Sequence, residues 1–342
     1  MRISFAANHG DIGGGEVMLL AMARAARALG RDVEVVTPGG ALAEAAMADD
    51  FRTVTIHAGS TPSYLANLRR WARQSRPELL WCNGLKPAFA TSLLPNRVVH
   101  LHSLPVGPMG ALAAIAVRRA TAVVVPSQWM NSQLGGHLRV LPNWTESLAL
   151  EPLPPPATPA DRPIRLGFLG RLTSEKGARV LARVVASLNA SDPGRYQVIV
   201  GGASRFTSES DADDTAAALA ALDPPTEFLG WVDRGEFFSK VDLAVFPSVF
   251  PESFGLVAAE AMAAGIPFVI SDAGALAEVT DHDPRFIAKA GDANSLAAAI
   301  RAAATAYPAE QISRSRARWE EEFSPRAGTE RFGALLDSLE AR

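Results

Sequence analysis

The chain has 342 residues, of which 48% are hydrophobic and 20% charged, a composition typical of a folded protein with room for two domains. Its net charge of -3 and isoelectric point near 6.1 argue against a nucleic-acid-binding protein, although a nucleotide needs only a few local cations. The single cysteine, Cys82, excludes an internal disulfide and a thiolate metal cluster, and the lack of a leader or a long apolar span predicts a cytoplasmic protein.

The chain opens with the pattern of a strand, a glycine-rich turn, a helix and a second strand. An apolar strand over residues 2–7 leads through NHGDIGGGE into a helix over 17–29, and the strand DVEVVTP follows. Gly13, Gly14 and Gly15 have no side chains, so a ligand could approach their backbone, and the alternative is a merely tight turn. The dinucleotide-binding spacing G-x-G-x-x-G is absent.

The rest of the first half alternates between predicted strands and helices. Alternation along RVVHLHS places His100 and His102 on the same side of a strand. The apolar segment 109–117, followed by Arg118 and Arg119, could rest on a membrane, but a buried helix with a basic end is the favoured interpretation. The predicted strands are 53–56, 79–82, 98–102 and 122–125, and the predicted helices are 64–75, 86–93, 110–119 and 128–134.

A proline-dense stretch, EPLPPPATPADR at 151–162, has no periodic apolar pattern and is predicted to link two domains. The predicted domains are residues 1–150 and 163–314, with the final helices at 315–342. The second domain opens with the strand IRLGFLG and the loop RLTSEKG, before a helix from Ala178. Arg171 and Lys176 on this loop match a diphosphate, since arginine can bind two oxygens and lysine adds a point charge.

The strand YQVIVGG ends in Gly201 and Gly202, and a polar stretch with Asp211 and Asp213 follows. A D-x-D pair can hold a divalent metal between carboxylates and phosphates. These acids precede an alanine-rich run, however, where carboxylates favour a helix N-terminus. We therefore predict no metal site.

Residues 246–279 form the most informative stretch. The strand DLAVF is followed by a proline-containing loop, a helix predicted over 254–264 with Ser253 as its N-cap, and the strand PFVIS. Such a crossover places its loop at the carboxyl edge of a parallel sheet, where ligands bind.

Two glutamates flank the start of this helix. The amides of Phe254, Gly255 and Leu256 would favour an anion. A carboxylate placed before them would not bind that anion, so Glu252 is predicted to bind hydroxyls beside it. Glu260 lies farther along the helix.

These motifs together resemble a known family. PESFGLVAAEAMAAGIP resembles the E-x7-E element of retaining glycosyltransferases of the GT-B fold, family 4 type, and GRLTSEKG resembles their G-R-x-x-x-x-K-G element. VVVPSQWM and VLPNW resemble segments of their first domain. The resemblance implies an α/β protein with two Rossmann-like domains facing each other across a cleft, and a last helix that packs back on the first domain.

The resemblance also implies residue roles. Arg171 and Lys176 would stabilise the leaving diphosphate. Glu252 would bind the sugar hydroxyls and Glu260 the ribose hydroxyls. His102 would point at the transferred sugar. The other implied donor contacts are Gly14, Gly15, Gly170, Gly202, Trp231, Val232, Ser253, Phe254, Gly255 and Leu256. The implied acceptor contacts are Gly13, Glu16 and His100.

The sequence departs from the family pattern twice. Trp144, Thr145 and Glu146 follow Asn143 where the family has a glycine and an aspartate, and Ala275 replaces the second of two adjacent glycines. We expect altered acceptor contacts from the first departure, and from the second either a narrower sugar pocket or a shifted Glu278.

The sequence thus predicts retaining transfer of a sugar from a UDP-sugar, or second a GDP-sugar, to an acceptor hydroxyl. No metal or other cofactor and no nucleic acid is expected, and peripheral membrane contact is not favoured. Two alternatives stay open: a sugar-nucleotide epimerase of the same fold, and a catalytically silent protein that binds nucleotide sugars.

Overall fold

The computed structural model describes residues 1–148, 162–202, 209–281, 283–307 and 309–341. The chain divides into two compact units, one formed by Met1–Trp144 with Pro325–Arg342 and the other by Thr145–Ser324. The predicted linker at 151–162 lies outside the described residues except for Arg162. The first unit thus ends at Trp144 and includes the last helix.

The first unit is a parallel sheet with helices on both faces. Its described strands form one sheet in the order β3-β2-β1-β4-β5-β6-β7. Their near-continuous apolar sequences suit strands that are buried on both sides. The strands are β1 (Arg2–Ala7), β2 (Asp32–Thr37), β3 (Arg52–Thr55), β4 (Leu79–Asn83), β5 (Arg97–His100), β6 (Ala122–Val125) and β7 (Arg139–Val140).

Right-handed crossovers decide which face each helix covers. Helices between β1 and β3 cover one face, and those between β3 and β7 cover the other, where Tyr64, Leu68, Ala88, Ala116 and Met130 share one core with the strands. The helices are α1 (Gly14–Ala28), α2 (Ala41–Ala48), α3 (Thr61–Ser75), α4 (Leu85–Ala90), α5 (Pro108–Ala116) and α6 (Gln128–Gln133).

The second unit repeats this plan. Its described strands form a parallel sheet in the order β10-β9-β8-β11-β12-β13. They are β8 (Ile164–Leu169), β9 (Tyr196–Gly201), β10 (Glu227–Gly230), β11 (Leu243–Phe246), β12 (Phe268–Ser271) and β13 (Ile287–Ala288). The helices are α7 (Ala178–Ser191), α8 (Glu209–Ala220), α9 (Arg234–Ser239), α10 (Leu256–Ala264), α11 (Leu276–Thr280), α12 (Ala293–Ala306) and α13 (Ala309–Arg318).

The last helix, α14 (Pro325–Glu340), packs on α1 of the first unit. Trp144 is buried against it: its ring lies 6.3 Å from that of Phe332, and a Cβ on Gly328 would clash with the indole. Thr145 accepts a hydrogen bond of 2.8 Å from the Trp319 indole. The departure from the family pattern at Trp144 and Thr145 therefore has a structural role.

Two predictions about local structure are wrong. Ser253 is not an N-cap, because α10 begins at Leu256 after Gly255, whose φ of 98° belongs to the left-handed region that glycine adopts most readily. The helix at 110–119 was predicted to be buried, but α5 buries only Ala113 and Ala116 of its nine residues. Among the helices of the described ranges, none has the length and apolar composition needed to cross a bilayer.

Candidate active site

The loop between β8 and α7, residues 170–177, carries both predicted cations, and we call it the cationic loop. Thr173 caps its short 3-10 turn, Ser174–Lys176, by accepting a hydrogen bond from the Lys176 amide. A Cβ on Gly177 would lie 1.8 Å from the Pro247 carbonyl oxygen, so only glycine lets the loop pack on the segment after β11. The Arg171 side chain is exposed, and its guanidinium has no partner within the described residues.

Asp211 holds the cationic loop in place. Its carboxylate accepts hydrogen bonds from the Ser174 amide, at 3.0 Å, and from the Ser174 hydroxyl. These bonds keep the pKa of Asp211 below its usual value. The sequence indicated only a carboxylate near a helix start, because a partner 37 residues away cannot be read from local pattern.

Lys176 and Glu252 form an ion pair at the base of the cationic loop. Lys176 Nζ lies 2.5 Å from Glu252 Oε1, and the Ser248 hydroxyl donates to the same oxygen at 2.6 Å. The Glu252 side chain is 16% exposed and that of Lys176 is 28% exposed. The two residues, predicted to have separate roles, are thus brought into direct contact.

Glu252 is also fixed through its backbone. It forms a bridge with Gly274, whose φ is 68°, and a Cβ there would collide with the Glu252 backbone. The Ala275 amide donates to the Glu252 carbonyl oxygen at 2.9 Å. Ala275 itself is fully buried, so its methyl group belongs to the core. The expected narrowing of a sugar pocket by this methyl is therefore not supported.

Glu260 lies in the first turns of α10 beside an arginine that the sequence did not single out. Arg234 Nε donates to Glu260 Oε1 at 3.0 Å, whereas Oε2 is buried with no partner among the described residues. Burial raises the pKa of Glu260, and Arg234 opposes that shift. An unpartnered buried carboxylate oxygen is costly, and a hydroxyl donor would satisfy it.

The ends of β8, β9 and β10 meet beside these side chains. A Cβ on Gly202 would lie 2.1 Å from the Gly170 carbonyl oxygen, so the two predicted glycines are in close backbone contact. Trp231 follows β10 and is 65% exposed, with Arg234 stacked 5.9 Å from its ring, while Val232 is buried. The sheet edge therefore presents an exposed aromatic ring near the Glu260 carboxylate.

In the first unit the glycine turn is closed by its own glutamate. The Gly13 amide donates to Glu16 Oε2 at 3.3 Å, and Glu16 is buried, which raises the pKa of its carboxyl. Helix α1 begins at Gly14, earlier than predicted. The carboxylate predicted to bind an acceptor thus caps the helix that carries it.

His102 is oriented by Asn83. Asn83 Nδ2 donates to the Gly15 carbonyl oxygen at 2.9 Å, so Asn83 Oδ1, 2.7 Å from His102 Nε2, must accept. The proton then lies on Nε2, and the buried Nδ1, without a partner among the described residues, is the acceptor atom. Burial lowers the pKa of His102 to about 4, so the ring is neutral near pH 7.

His100 does not have the predicted acceptor role, because its side chain is fully buried. Its ring lies 4.0 Å from that of His102 and 5.7 Å from that of Trp81. Burial lowers its pKa well below the usual value. It is a core residue behind His102, since β5 ends at His100 and the chain then turns.

A second polar group in the first unit was not predicted. Lys86 Nζ lies 3.2 Å from His9 Nδ1, and the Lys86 amide donates to Asn8 Oδ1 at 3.0 Å. Burial lowers the pKa of Lys86, while Glu16 opposes that shift. Asn8 and His9 follow β1 and Lys86 follows β4, its neighbour, so a rule that searches the ends of adjacent strands would have found the group.

Comparison with known proteins assigns both units. The family description Glycosyl transferases group 1 matches residues 163–305, and Glycosyl transferase 4-like domain matches residues 13–144. Relatives include glycogen synthase of Mycobacterium tuberculosis, 35% identical over 147 residues, 42% of this chain and 34% of the relative. D-inositol 3-phosphate glycosyltransferase of Corynebacterium aurimucosum is 36% identical over 141 residues, 40% of this chain and 33% of the relative. The match spans about a third of the length of these relatives.

Solved structures show the same fold. Anabaena Alr3699/HepE in complex with UDP-glucose superposes with a TM-score of 0.83 at 22% identity, over 99% of this chain and 100% of that chain. Sucrose-phosphate synthase from Thermosynechococcus elongatus gives 0.80 at 22% identity, over 99% of both chains. The two parallel-sheet units are the Rossmann-like domains of the GT-B fold, and the chain belongs to the group 1 glycosyltransferases of the family 4 type.

Proposed function

We propose that this chain moves a sugar from a nucleoside diphosphate sugar to an acceptor hydroxyl, with retention at the anomeric carbon and without a metal ion. UDP is the first choice of nucleotide and GDP the second. The observation that carries the proposal is the joining of Lys176 to Glu252 beside the exposed Arg171. A solved protein of the same fold holds UDP-glucose, and relatives named for sugar transfer match this chain in part.

The cationic loop would bind the diphosphate. As the glycosidic bond breaks, negative charge grows on the leaving phosphate, and fixed cations stabilise that charge more than the ground state. Glu252 and Asp211 hold the loop from two sides, so Lys176 is preorganised. Arg171 has no competing partner within the described residues and can turn toward the phosphates.

Glu260 would bind the ribose hydroxyls of the nucleotide. Its Oε2 is buried and lacks a donor among the described residues, and a ribose hydroxyl supplies one. Arg234 holds the other oxygen and opposes the rise in the pKa of Glu260 that burial causes. The exposed ring of Trp231 adjoins Arg234 and could take a base by stacking.

Retention would follow from attack on the face that the leaving group vacates. A covalent intermediate needs a carboxylate nucleophile, but Glu252 already accepts hydrogen bonds from Lys176 and Ser248, which weaken it as a nucleophile. In the proposed route the leaving phosphate oxygen takes the acceptor proton, the acceptor oxygen bonds to the anomeric carbon, and the diphosphate departs with the bonding electrons.

Incubation with UDP- and GDP-sugars followed by NMR tests the proposal. Slow release of the nucleoside diphosphate and free sugar supports transfer, and for an α-linked donor the α-anomer should appear first. An isomerised donor would indicate an epimerase, and an unchanged donor that still raises the melting temperature would indicate a binding protein. Undiminished turnover in excess EDTA supports metal independence, and undiminished turnover of Arg171→Ala would overturn the diphosphate assignment.

A further inference from the structure

The first unit contains a strongly basic segment within a chain whose net charge is negative. Residues 51–145 hold ten lysines and arginines and one acidic residue, Glu78, which is a net charge of +9. The whole chain has a net charge of -3, so the remaining residues carry -12. The overall charge hides this separation, and a local field of one sign selects partners of the opposite sign.

Exposed arginines of this segment gather on one side of the unit. Helices α3, α4 and α5 cover the same face of the sheet and run in the same direction, so the ends of α3 and α5 lie at the same sheet edge. None of these guanidiniums has an ion-pair partner within the described ranges. The arginines are Arg70 and Arg73 on α3, Arg76 at its end, and Arg118 and Arg119 after α5.

Helix α5 adds exposed apolar surface to this charge. Residues 104–117 include no polar side chain, and the buried positions of α5 are only Ala113 and Ala116. The exposed fractions are 53% for Val106, 44% for Met109 and 43% for Ile115. A helix on the surface of a water-soluble domain normally presents polar side chains outward, so this surface fits an apolar partner.

We propose that residues 104–119 dock the first unit on an anionic phospholipid surface. The arginines would meet anionic headgroups, and Val106, Met109 and Ile115 would enter the boundary between headgroups and acyl chains. A nucleic acid would use the arginines but gain nothing from the apolar side chains of α5. A symmetric contact with a second copy would bring two positive surfaces together.

Co-sedimentation of the full chain with vesicles tests the proposal. We expect binding to vesicles of phosphatidylcholine with phosphatidylglycerol, weak binding to phosphatidylcholine alone, and release as salt screens the charges. Arg118→Glu with Arg119→Glu should lower the partition coefficient by a factor on the order of 100 or more. Met109→Ser with Ile115→Ser, which leaves the charge unchanged, should lower it by a factor on the order of 10.

A matched control places the same charge change elsewhere. Arg183 and Arg301 are exposed on α7 and α12 of the second unit. The variant Arg183→Glu with Arg301→Glu should bind vesicles nearly as the wild type does. Equal loss of binding in this control would overturn the assigned surface, as would absence of binding to the mixed vesicles. Binding of a DNA oligonucleotide without vesicle binding, or dimerisation abolished by Met109→Ser with Ile115→Ser, would assign the surface to another partner and overturn the proposal. Melting temperatures near that of the wild type establish that each variant is folded.

Discussion

Lys176 could act in two ways, by stabilising the charge of the leaving diphosphate and by stabilising the fold, and its replacement distinguishes the two. Lys176 Nζ lies 2.5 Å from Glu252 Oε1, and the two side chains are 28% and 16% exposed. Lys176→Met would leave a mostly buried carboxylate bound by the Ser248 hydroxyl. The cost should lie between about 0–1 kcal/mol for an exposed pair and about 3–5 kcal/mol for a fully buried one. We therefore expect the free energy of unfolding to fall by about 2 kcal/mol and the melting temperature by about 4–8 °C.

A second variant distinguishes the two roles. Lys176→Met with Glu252→Gln removes the uncompensated charge, so much of the stability should return, while release of nucleoside diphosphate stays reduced by about 10²–10³-fold. Arg171→Ala is the matched control, because its guanidinium has no partner in the described ranges, and it should reduce turnover with little change in melting temperature. If the double variant regained activity together with stability, Lys176 would be a structural residue and the reasoning would be refuted.

Three further predictions concern both units. In the unfolded chain His100 binds a proton below about pH 6.5, whereas burial holds its pKa in the folded protein well below that value. The free energy of unfolding should therefore fall by about 1.4 kcal/mol between pH 7.5 and 5.5 because of His100. The melting temperature of His100→Leu should depend less on pH than that of the wild type, and an unchanged dependence would contradict this. In Asn83→Ala, ¹⁵N NMR of His102 should show a mixture of tautomers in place of the single Nε2–H form, and kcat should fall. Combining Asn83→Ala with His102→Ala should lower kcat no further than His102→Ala alone. Additive losses of kcat would show that Asn83 does not act through His102. In Gly177→Ala the new Cβ would lie 1.8 Å from the Pro247 carbonyl oxygen, so the free energy of unfolding in urea should fall by about 2–4 kcal/mol. Gly194 also has a positive φ but lies in open space, so Gly194→Ala should lower it by only about 1–2 kcal/mol. Equal losses would show that backbone conformation alone decides the effect.

Much of the fold could be predicted because strands and helices of a doubly wound unit have different periods and lengths. The strand at Ala122–Val125 has its predicted bounds, and α7 starts at the predicted Ala178. Prediction of α10 was less accurate because Ser253 has the chemistry of an N-cap, whereas the residue at the N-cap is Gly255 in a left-handed conformation. A favourable capping residue competes with a glycine at positive φ, and tertiary packing decides between them.

The sequence was also a poor guide to which side chains are buried. The apolar composition of 109–117 is compatible with a core helix, yet Met109 and Ile115 are exposed. Whether such a helix is covered depends on elements that are distant in sequence, and the local pattern does not contain that information. His100 and His102 share a pattern in the sequence but differ in the structure, because β5 ends between them. The His102 ring hydrogen-bonds the Asn83 side chain, whereas the buried ring nitrogens of His100 have no partner among the described residues. Side-chain burial is a property of the packed unit rather than of the local pattern.

The sequence by itself determined the alternation of strands and helices, the two-unit plan and the carboxyl strand ends that carry the cationic loop and Glu252, because these depend on local periodicity and on loops that follow parallel strands. Only the tertiary structure decided the partners: Lys176 with Glu252, Ser174 with Asp211, and Glu260 with Arg234. These pairs are separated by 76, 37 and 26 residues respectively. The first two pairs meet because strand order, which no local pattern encodes, brings the ends of β8, β9 and β11 side by side at one edge of the sheet. Glu260 meets Arg234 because α10 packs on α9.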